Sequence, residues 1–221
     1  MTDSEVNPKT RMDSKRQIPA PVQKLLEWDV KATKEFVSFC LNFKVIEQFK
    51  KHCKFLEWSC HGLVWLVCWI GFTYMIDSKD LYQTQVNMFL GLILDIVFVW
   101  ILKAATRRRR PAVDDNPFSF GPDKYAFPSG HASRAVFVAC FFTLLDPLPW
   151  IFFPSIVAWC VAVCFSRLII YRHHILDVLA GAGLGIFEAL LMAVFWCNQE
   201  TSSGLINFMT DEKLVGPSYD V

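Results

Sequence analysis

Ser166-Arg167-Leu168-Ile169-Ile170-Tyr171-Arg172-His173-His174-Ile175-Leu176-Asp177 stands where one long apolar run, Trp150–Ile170, ends and another, Ile175–Trp196, begins. Each run approaches the roughly 20 apolar residues that a helix needs to cross a bilayer. The junction is therefore read as a membrane–water boundary, and it carries two arginines, two histidines and a carboxylate. On a helix, His173 and Asp177 are four apart and share a face. Asp177 accepting one imidazole N–H would leave the other nitrogen of His173 free to attack, which is how an activated nucleophile is held. His174, three residues from Asp177, satisfies the same spacing. Taken alone, the stretch reads equally well as a polar cap whose arginines snorkel to the headgroups.

Outward from this junction the chain is strongly apolar. Of 221 residues, 53% are hydrophobic and 15% aromatic, which excludes an ordinary soluble domain, and the length suits one domain. Three further apolar runs, Ser59–Ile76, Asn87–Thr106 and His131–Leu145, precede the two already named. The expected fold is all-α: an integral membrane bundle of about five spanning helices, residues 59–198. Gly181 and Gly185 in the last run have the G-x-x-x-G spacing that lets two helices approach closely. Asp95 and Glu188 lie inside runs, and an interhelical hydrogen bond is the expected use of Asp95.

The flanks read differently. Residues 1–24 are polar and proline-containing, the composition of a disordered arm with no apolar leader core. In residues 25–58, Trp28, Ala32, Phe36, Phe39 and Phe43, then Val45, Phe49, Cys53 and Leu56, recur at helical spacing among charges, as in helices lying in the headgroup region. Residues 199–221 form a polar tail. The eight cysteines show no metal-ligand spacing and read as small hydrophobes. Five spans put the N-terminus, the 107–130 loop and the 166–174 turn on one side. Eleven lysines and arginines precede Ser59, and only Lys79 and Lys213 fall opposite, so the crowded side is expected to be cytosolic.

Two more polar islands share that side. Lys103 is followed by Arg107-Arg108-Arg109-Arg110-Pro111; Lys103 and Arg110 are seven apart, two turns on one face, and could grip one anion. As a bare arginine run the stretch also reads as a positive stop signal. Pro128-Ser129-Gly130-His131 places a turn and a capping serine at a helix start, where unpaired N–H groups and partial positive charge favour an anion. His131, in that first turn, could hand a proton to whatever is held there. Cations at Lys103, Arg110 and Arg167, amides at Ser129 and Gly130, and two histidines are what phosphoryl transfer requires. Asp114-Asp115 reads as a solvated turn, and neither a metal nor any other cofactor is expected.

Lys103…Arg110-Pro111, Pro128–His131 and Ser166-Arg167…His173…Asp177 resemble, in order, the three signature motifs of the type-2 phosphatidic acid phosphatase superfamily. Arg-Arg-Arg-Arg-Pro-Ala and Asp-Lys-Tyr-x-Phe-Pro-Ser-Gly-His-Ala most resemble its polyisoprenoid diphosphate/phosphate phosphohydrolases. The resemblance implies His173 as the phosphorylated nucleophile, Asp177 as its orienter and His131 as the acid. It further implies Lys103, Arg110, Ser129, Gly130 and Arg167 as phosphate ligands. The implied activity is metal-independent hydrolysis of polyisoprenoid diphosphates and monophosphates, with phosphatidate as another substrate, in the endoplasmic reticulum or nuclear envelope. The expected partners are membrane lipids and the phosphorylated isoprenoid or phospholipid, with no nucleic acid. A lipid phosphotransferase and a non-catalytic lipid-binding scaffold are the alternatives; the sequence is silent on oligomeric state.

Overall fold

The computed structural model describes residues 19–112 and 121–211, and the described residues are almost entirely helical. Eight α-helices follow in order: α1 Ala20–Leu41, α2 Lys44–Ser59, α3 Gly62–Met75, α4 Tyr82–Thr106, α5 Gly130–Cys140, α6 Phe153–Ile169, α7 Ile175–Val194 and α8 Gln199–Asp211. Three segments are long and apolar enough to cross a membrane: Lys79–Thr106, Trp150–Ile169 and Ile175–Val194. α2 and α3, bent by 52° at the break between them, make a fourth if counted as one span. Of the five runs read as spans, Ser59–Ile76 and His131–Leu145 thus give helices too short to qualify alone. α3 has 14 residues, about 21 Å at 1.5 Å per residue. α5 stops at Cys140 and runs into a π turn, Phe141–Leu145.

α5 is the centre of the bundle, and glycines explain how closely it is held. A Cβ on Gly181 would lie 2.4 Å from the Ser129 carbonyl oxygen, and one on Gly185 2.3 Å from that of Ser133. The G-x-x-x-G face of α7 therefore lets the α5 backbone sit directly against it, as the spacing predicts. On the other side, Gly91 of α4 admits the Phe137 ring. Met88, Leu92, Phe137, Val138, Phe141, Ala189 and Met192 complete this core. The result is that the C-terminal ends of α4 and α6 and the N-terminal ends of α5 and α7 converge.

Beneath that convergence lies a buried ionic knot. Arg134 of α5 donates from Nη2 to Asp95 of α4 and from Nη1 to the Cys60 carbonyl, 3.0 Å. Ser133 Oγ donates to Glu188 of α7, 3.2 Å. Asp95 and Glu188 are both fully buried, on α4 and α7, with Ser133 and Arg134 of α5 reaching one carboxyl group each. Arg134 thus brings a cation to buried acids, the pairing that a bundle interior demands. The interhelical hydrogen bond expected of Asp95 is present.

Both flanks depart from the sequence reading. α1 begins at Ala20, with Pro21 in its first turn, so residues 20–24 are helix rather than arm; residues 1–18 lie outside the described part. On α1 the stripe of Trp28, Phe36 and Phe39 is the exposed face, continued by Phe43 before α2, whereas Asp29, Thr33, Val37 and Cys40 are buried against the bundle. The polarity is inverted relative to a soluble amphipathic helix because lipid can solvate the aromatic face, while a carboxylate is retained only where protein donors meet it. The tail is also helical through Asp211: Asn198 Oδ1 caps α8 by accepting from Thr201 N, 2.9 Å. Asn87 of α4 ties the α7–α8 joint, exchanging bonds of 2.9 and 2.8 Å with the backbone of Cys197. Residues 212–221, like Asp114 and Asp115, lie outside the described residues. All eight cysteines are free thiols; Cys40, Cys53 and Cys60 are buried, Cys68 is exposed and the rest are half-buried.

Candidate active site

The catalytic turn is built by how α6 ends and α7 starts. The Arg167 carbonyl accepts from Arg172 N (3.1 Å) and His173 N (3.3 Å). Tyr171 takes a left-handed backbone, φ 53°, to reverse the chain. His174 then caps α7 and Asp177 returns a bond to the His174 N–H, a capping box. This box answers the question that spacing left open. Asp177 Oδ2 lies 2.8 Å from His174 N and 3.2 Å from His174 Nδ1, and His173 is left facing the site cavity.

His173 is not held as expected. Its Nδ1 lies 3.9 Å from Asp177 Oδ2 but 2.8 Å from the Ala126 carbonyl oxygen. A carbonyl only accepts, so Nδ1 carries the proton and Nε2 keeps its lone pair. The orienter in contact with the ring is thus a backbone carbonyl, while Asp177 serves the α7 cap and takes Arg108 Nη1 at 2.7 Å. Burial, and after it the charges of Lys103, Arg110 and Arg167, push the pKa of His173 well below the usual imidazole range; the Ala126 bond opposes this. The shift favours the neutral ring, with Nε2 keeping a lone pair.

A cavity of about 190 Å³ opens beside it. Lys103, Arg110, Arg167, Gly130, His131 and His173 all line it, so six of the eight residues singled out by sequence meet there. The cations are buried, with side-chain exposures of 4% for Lys103, 11% for Arg110 and 1% for Arg167. Gly130 opens α5, so its amide is among the helix's first-turn donors. The other two expected residues stand behind the wall. Ser129 is the α5 N-cap: its Oγ accepts from Ala132 N at 3.4 Å and its N–H donates to the Asp177 carbonyl at 2.9 Å. Ser129, expected among the phosphate ligands, thus acts as the α5 cap, and its hydroxyl keeps a proton to donate.

Glu57, His61, Asp123, Arg134 and Arg172 line the cavity and escaped the sequence reading. Glu57 of α2 places its carboxylate 3.4 Å from Arg167 Nη1, and its carbonyl receives His131 Nε2 at 3.2 Å. Asp123 bonds Lys103 Nζ at 2.6 Å, and its backbone carbonyl accepts from Arg110. Glu57 and His61 carried no signal, since Glu57 falls in the stretch assigned to the headgroup region and His61 at the start of the run Ser59–Ile76 read as a span. Asp123 belongs to the wording Asp-Lys-Tyr that the sequence did display. The same cavity is also lined by apolar side chains, Leu63 of α3 and Ile96, Val99 and Trp100 of α4. One cavity thus offers a cationic clamp to a polyanion and an apolar flank to a chain.

A multi-span helical protein whose buried cations and histidines meet at one end of the bundle is a membrane enzyme of the phosphoryl-transfer kind. Residues 84–200 match the PAP2 superfamily. Over 147 residues the chain is 37% identical to the probable lipid phosphate phosphatase beta of Arabidopsis thaliana, covering 53% of this chain and 68% of that one. The chain belongs to the PAP2 superfamily, and its activity is that of a membrane phosphatase on lipid phosphates. Two crystal structures share the fold. Aquifex aeolicus LpxE superposes with a TM-score of 0.52 at 21% identity, covering 71% of this chain and 92% of its own. A transmembrane PAP2-type phosphatidylglycerolphosphate phosphatase from Bacillus subtilis gives 0.50 at 24% identity, covering 80% and 86%.

Proposed function

We propose that the chain hydrolyses polyisoprenoid diphosphates and monophosphates, and phosphatidate as a further substrate, through a phosphohistidine on His173. The observation that carries this reading is the tautomer: Nδ1 is spent on the Ala126 carbonyl, and the ring lines the cavity formed by Lys103, Arg110 and Arg167. Nε2 attacks phosphorus while the three cations and the Gly130 amide spread the charge of the transferring phosphoryl group. The bond to the leaving oxygen breaks, and His131, held as imidazolium by the negative charge of the bound phosphate, supplies the proton from Nδ1 and becomes neutral, its Nε2–H staying on the Glu57 carbonyl. Water, deprotonated by His131 in the second half, then attacks the phosphohistidine, and the Nε2–P bond breaks to release phosphate. The cations do the charge work that a metal would do elsewhere. The apolar wall of Leu63, Ile96, Val99 and Trp100 suits a lipid chain. We further place the site on the cytosolic face of the endoplasmic reticulum or nuclear envelope, on the lysine and arginine excess of the N-terminal 58 residues.

The test is purified protein in detergent and chelator, given prenyl diphosphates, prenyl monophosphates and phosphatidate, with free phosphate read out. Turnover of prenyl substrates above phosphatidate is expected, abolished by His173→Ala. His131→Ala is expected to spare the diphosphate reaction more than the monophosphate reaction, because a phosphate leaving group needs little protonation and an alkoxide needs much. General acid assistance is typically worth about 10²–10⁴-fold, so the gap in kcat should be large. Equal loss on both would remove the acid role from His131, and turnover that depends on added Mg²⁺ would overturn the metal-independent scheme.

A further inference from the structure

Asp29 lies on α1, more than fifty residues before the part of the chain that matches the family, yet it is fully buried. Its Oδ2 accepts from Arg108 Nη2 at 2.6 Å, and its Oδ1 accepts from Leu176 N at 3.1 Å. Thr33, one turn on, accepts from Ile175 N at 3.1 Å. α1 therefore supplies acceptors for the first amides of α7, the groups that a helix start leaves unpaired.

Arg108 reaches both sides of the catalytic turn. The other arm of its guanidinium, Nη1, holds Asp177 at 2.7 Å. Its own carbonyl accepts from Ala126 N at 2.8 Å, and Ala126 is the residue whose carbonyl holds His173 Nδ1. Two short paths therefore leave Arg108. One runs through its side chain to Asp177 and the His174 cap; the other runs through its backbone to Ala126 and the nucleophile ring. A lysine could not span both carboxylates, whereas the planar fork of an arginine does. Within the run 107–110, Arg110 enters the cavity lining and Arg108 does not.

We infer that Asp29 and Arg108 are positioning residues for phosphoryl transfer: Asp29 clamps the guanidinium, and Arg108 holds Ala126 and Asp177 so that His173 meets the phosphorus. The role rests on the phosphohistidine reading. Neither residue touches substrate, so their loss acts on kcat and leaves anion binding intact. A displacement near 1 Å at the reacting atoms can cost about 100-fold in rate. The α1 helix is on this account part of the active site and not an appended membrane anchor.

The experiment uses the full chain in detergent, comparing wild type with Asp29→Asn, Arg108→Lys and Val37→Ala. Val37 is buried on the same face of α1 and packs with Ala132, Leu168 and Val178, making no polar contact with the turn. Melting temperature, kcat and KM on one lipid phosphate, and the inhibition constant for vanadate are measured for each. Asp29→Asn and Arg108→Lys are expected to lose about 10- to 100-fold in kcat, with KM and vanadate inhibition within about threefold of wild type. Val37→Ala is expected to melt earlier and keep its kcat. The inference is overturned if the two charge variants keep wild-type kcat. It is likewise overturned if vanadate inhibition falls in parallel with kcat, or if Val37→Ala loses as much kcat as they do. Should Asp29→Asn fail to fold, the kcat of Arg108→Lys decides. Wild-type protein that turns over no lipid phosphate overturns the functional reading together with this inference, whereas an active wild type with unaffected variants overturns the inference alone.

Discussion

The bundle contains two sets of buried cations paired with carboxylates, and they differ in where the carboxylates stand. In the knot of Asp95, Arg134 and Glu188 the side chains of Arg134 and Asp95 are 6% and 0% exposed, Glu188 is fully buried, and all three sit on helices that the glycine faces lock together. In the clamp the cations are equally buried, but their acids come from the edge: Asp123 is 52% exposed and Glu57 20%. A carboxylate that reaches water can give up its cation to an incoming phosphate at little cost, since water replaces the lost partner. One that cannot reach water must keep it. We read the clamp as a binding site and the knot as framework for that reason, although both use the same chemistry. Arg134 sits at the join, with its guanidinium fixed in the knot and its edge in the cavity wall.

Four experiments would break or sharpen this contrast. The largest effect is expected from Arg134→Met, which strands two buried carboxyl groups. Removing one partner of a buried pair costs about 3–5 kcal/mol, so denaturant titration in detergent should show most of the stability gone. The triple change Arg134→Met, Asp95→Leu, Glu188→Leu should recover much of it, and failure to recover would mean the knot does more than hold helices together. Arg167→Met is the matching change in the clamp. It should leave the unfolding midpoint near wild type because Glu57 relaxes into water, while kcat/KM falls about 10²–10³-fold, the scale of one lost charge-stabilising donor.

Smaller effects are expected at the exchangeable acids. Asp123→Asn removes the carboxylate that competes with substrate for Lys103. Vanadate should then inhibit about two- to fivefold more tightly, matching the 0.2–1 kcal/mol of a solvent-exposed ion pair; weaker inhibition would show that Asp123 shapes the clamp and does not compete for it. The last effect is on pH. His173 attacks when neutral, and its depressed pKa puts the acid limb of kcat/KM below the usual imidazole range. Lys103 is the first of the charges holding that pKa down. Lys103→Met should therefore move the acid limb of the residual activity upward in pH, and an unmoved limb would assign it to another group.

Much of the site was legible because the chemistry is carried by side-chain type and order. Lys103, Arg110, Gly130, His131, Arg167 and His173 are named by motifs that survive any uncertainty in helix boundaries. The helices were legible for the same kind of reason, since apolar length is a property of the chain alone. What misled the reading was partner choice. His173 and Asp177 share a face at i, i+4, but the ring hydrogen-bonds a backbone carbonyl 47 residues away. Such an acceptor has no side chain to read. The aromatic stripe of α1 was legible as a face, yet periodicity does not say whether protein or lipid covers it. Asp29 and Thr33 on the opposite face decide that only through their contacts with Arg108, Leu176 and Ile175.

By itself, then, the sequence determined an all-helical membrane phosphatase with its cations and histidines gathered in three polar islands. The tertiary structure decided which buried cations pair with buried acids and which with exposed ones, that Ser129 caps while Gly130 lines the cavity, and that α2 reaches the cavity while α1 meets the turn behind it. The physical reason is that burial and pairing are set by close approach of distant segments. Contacts such as 29 to 108 to 177, or 57 to 131 and 167, exist because glycines on α7 let α5 seat against it and so fix where every other helix end must lie.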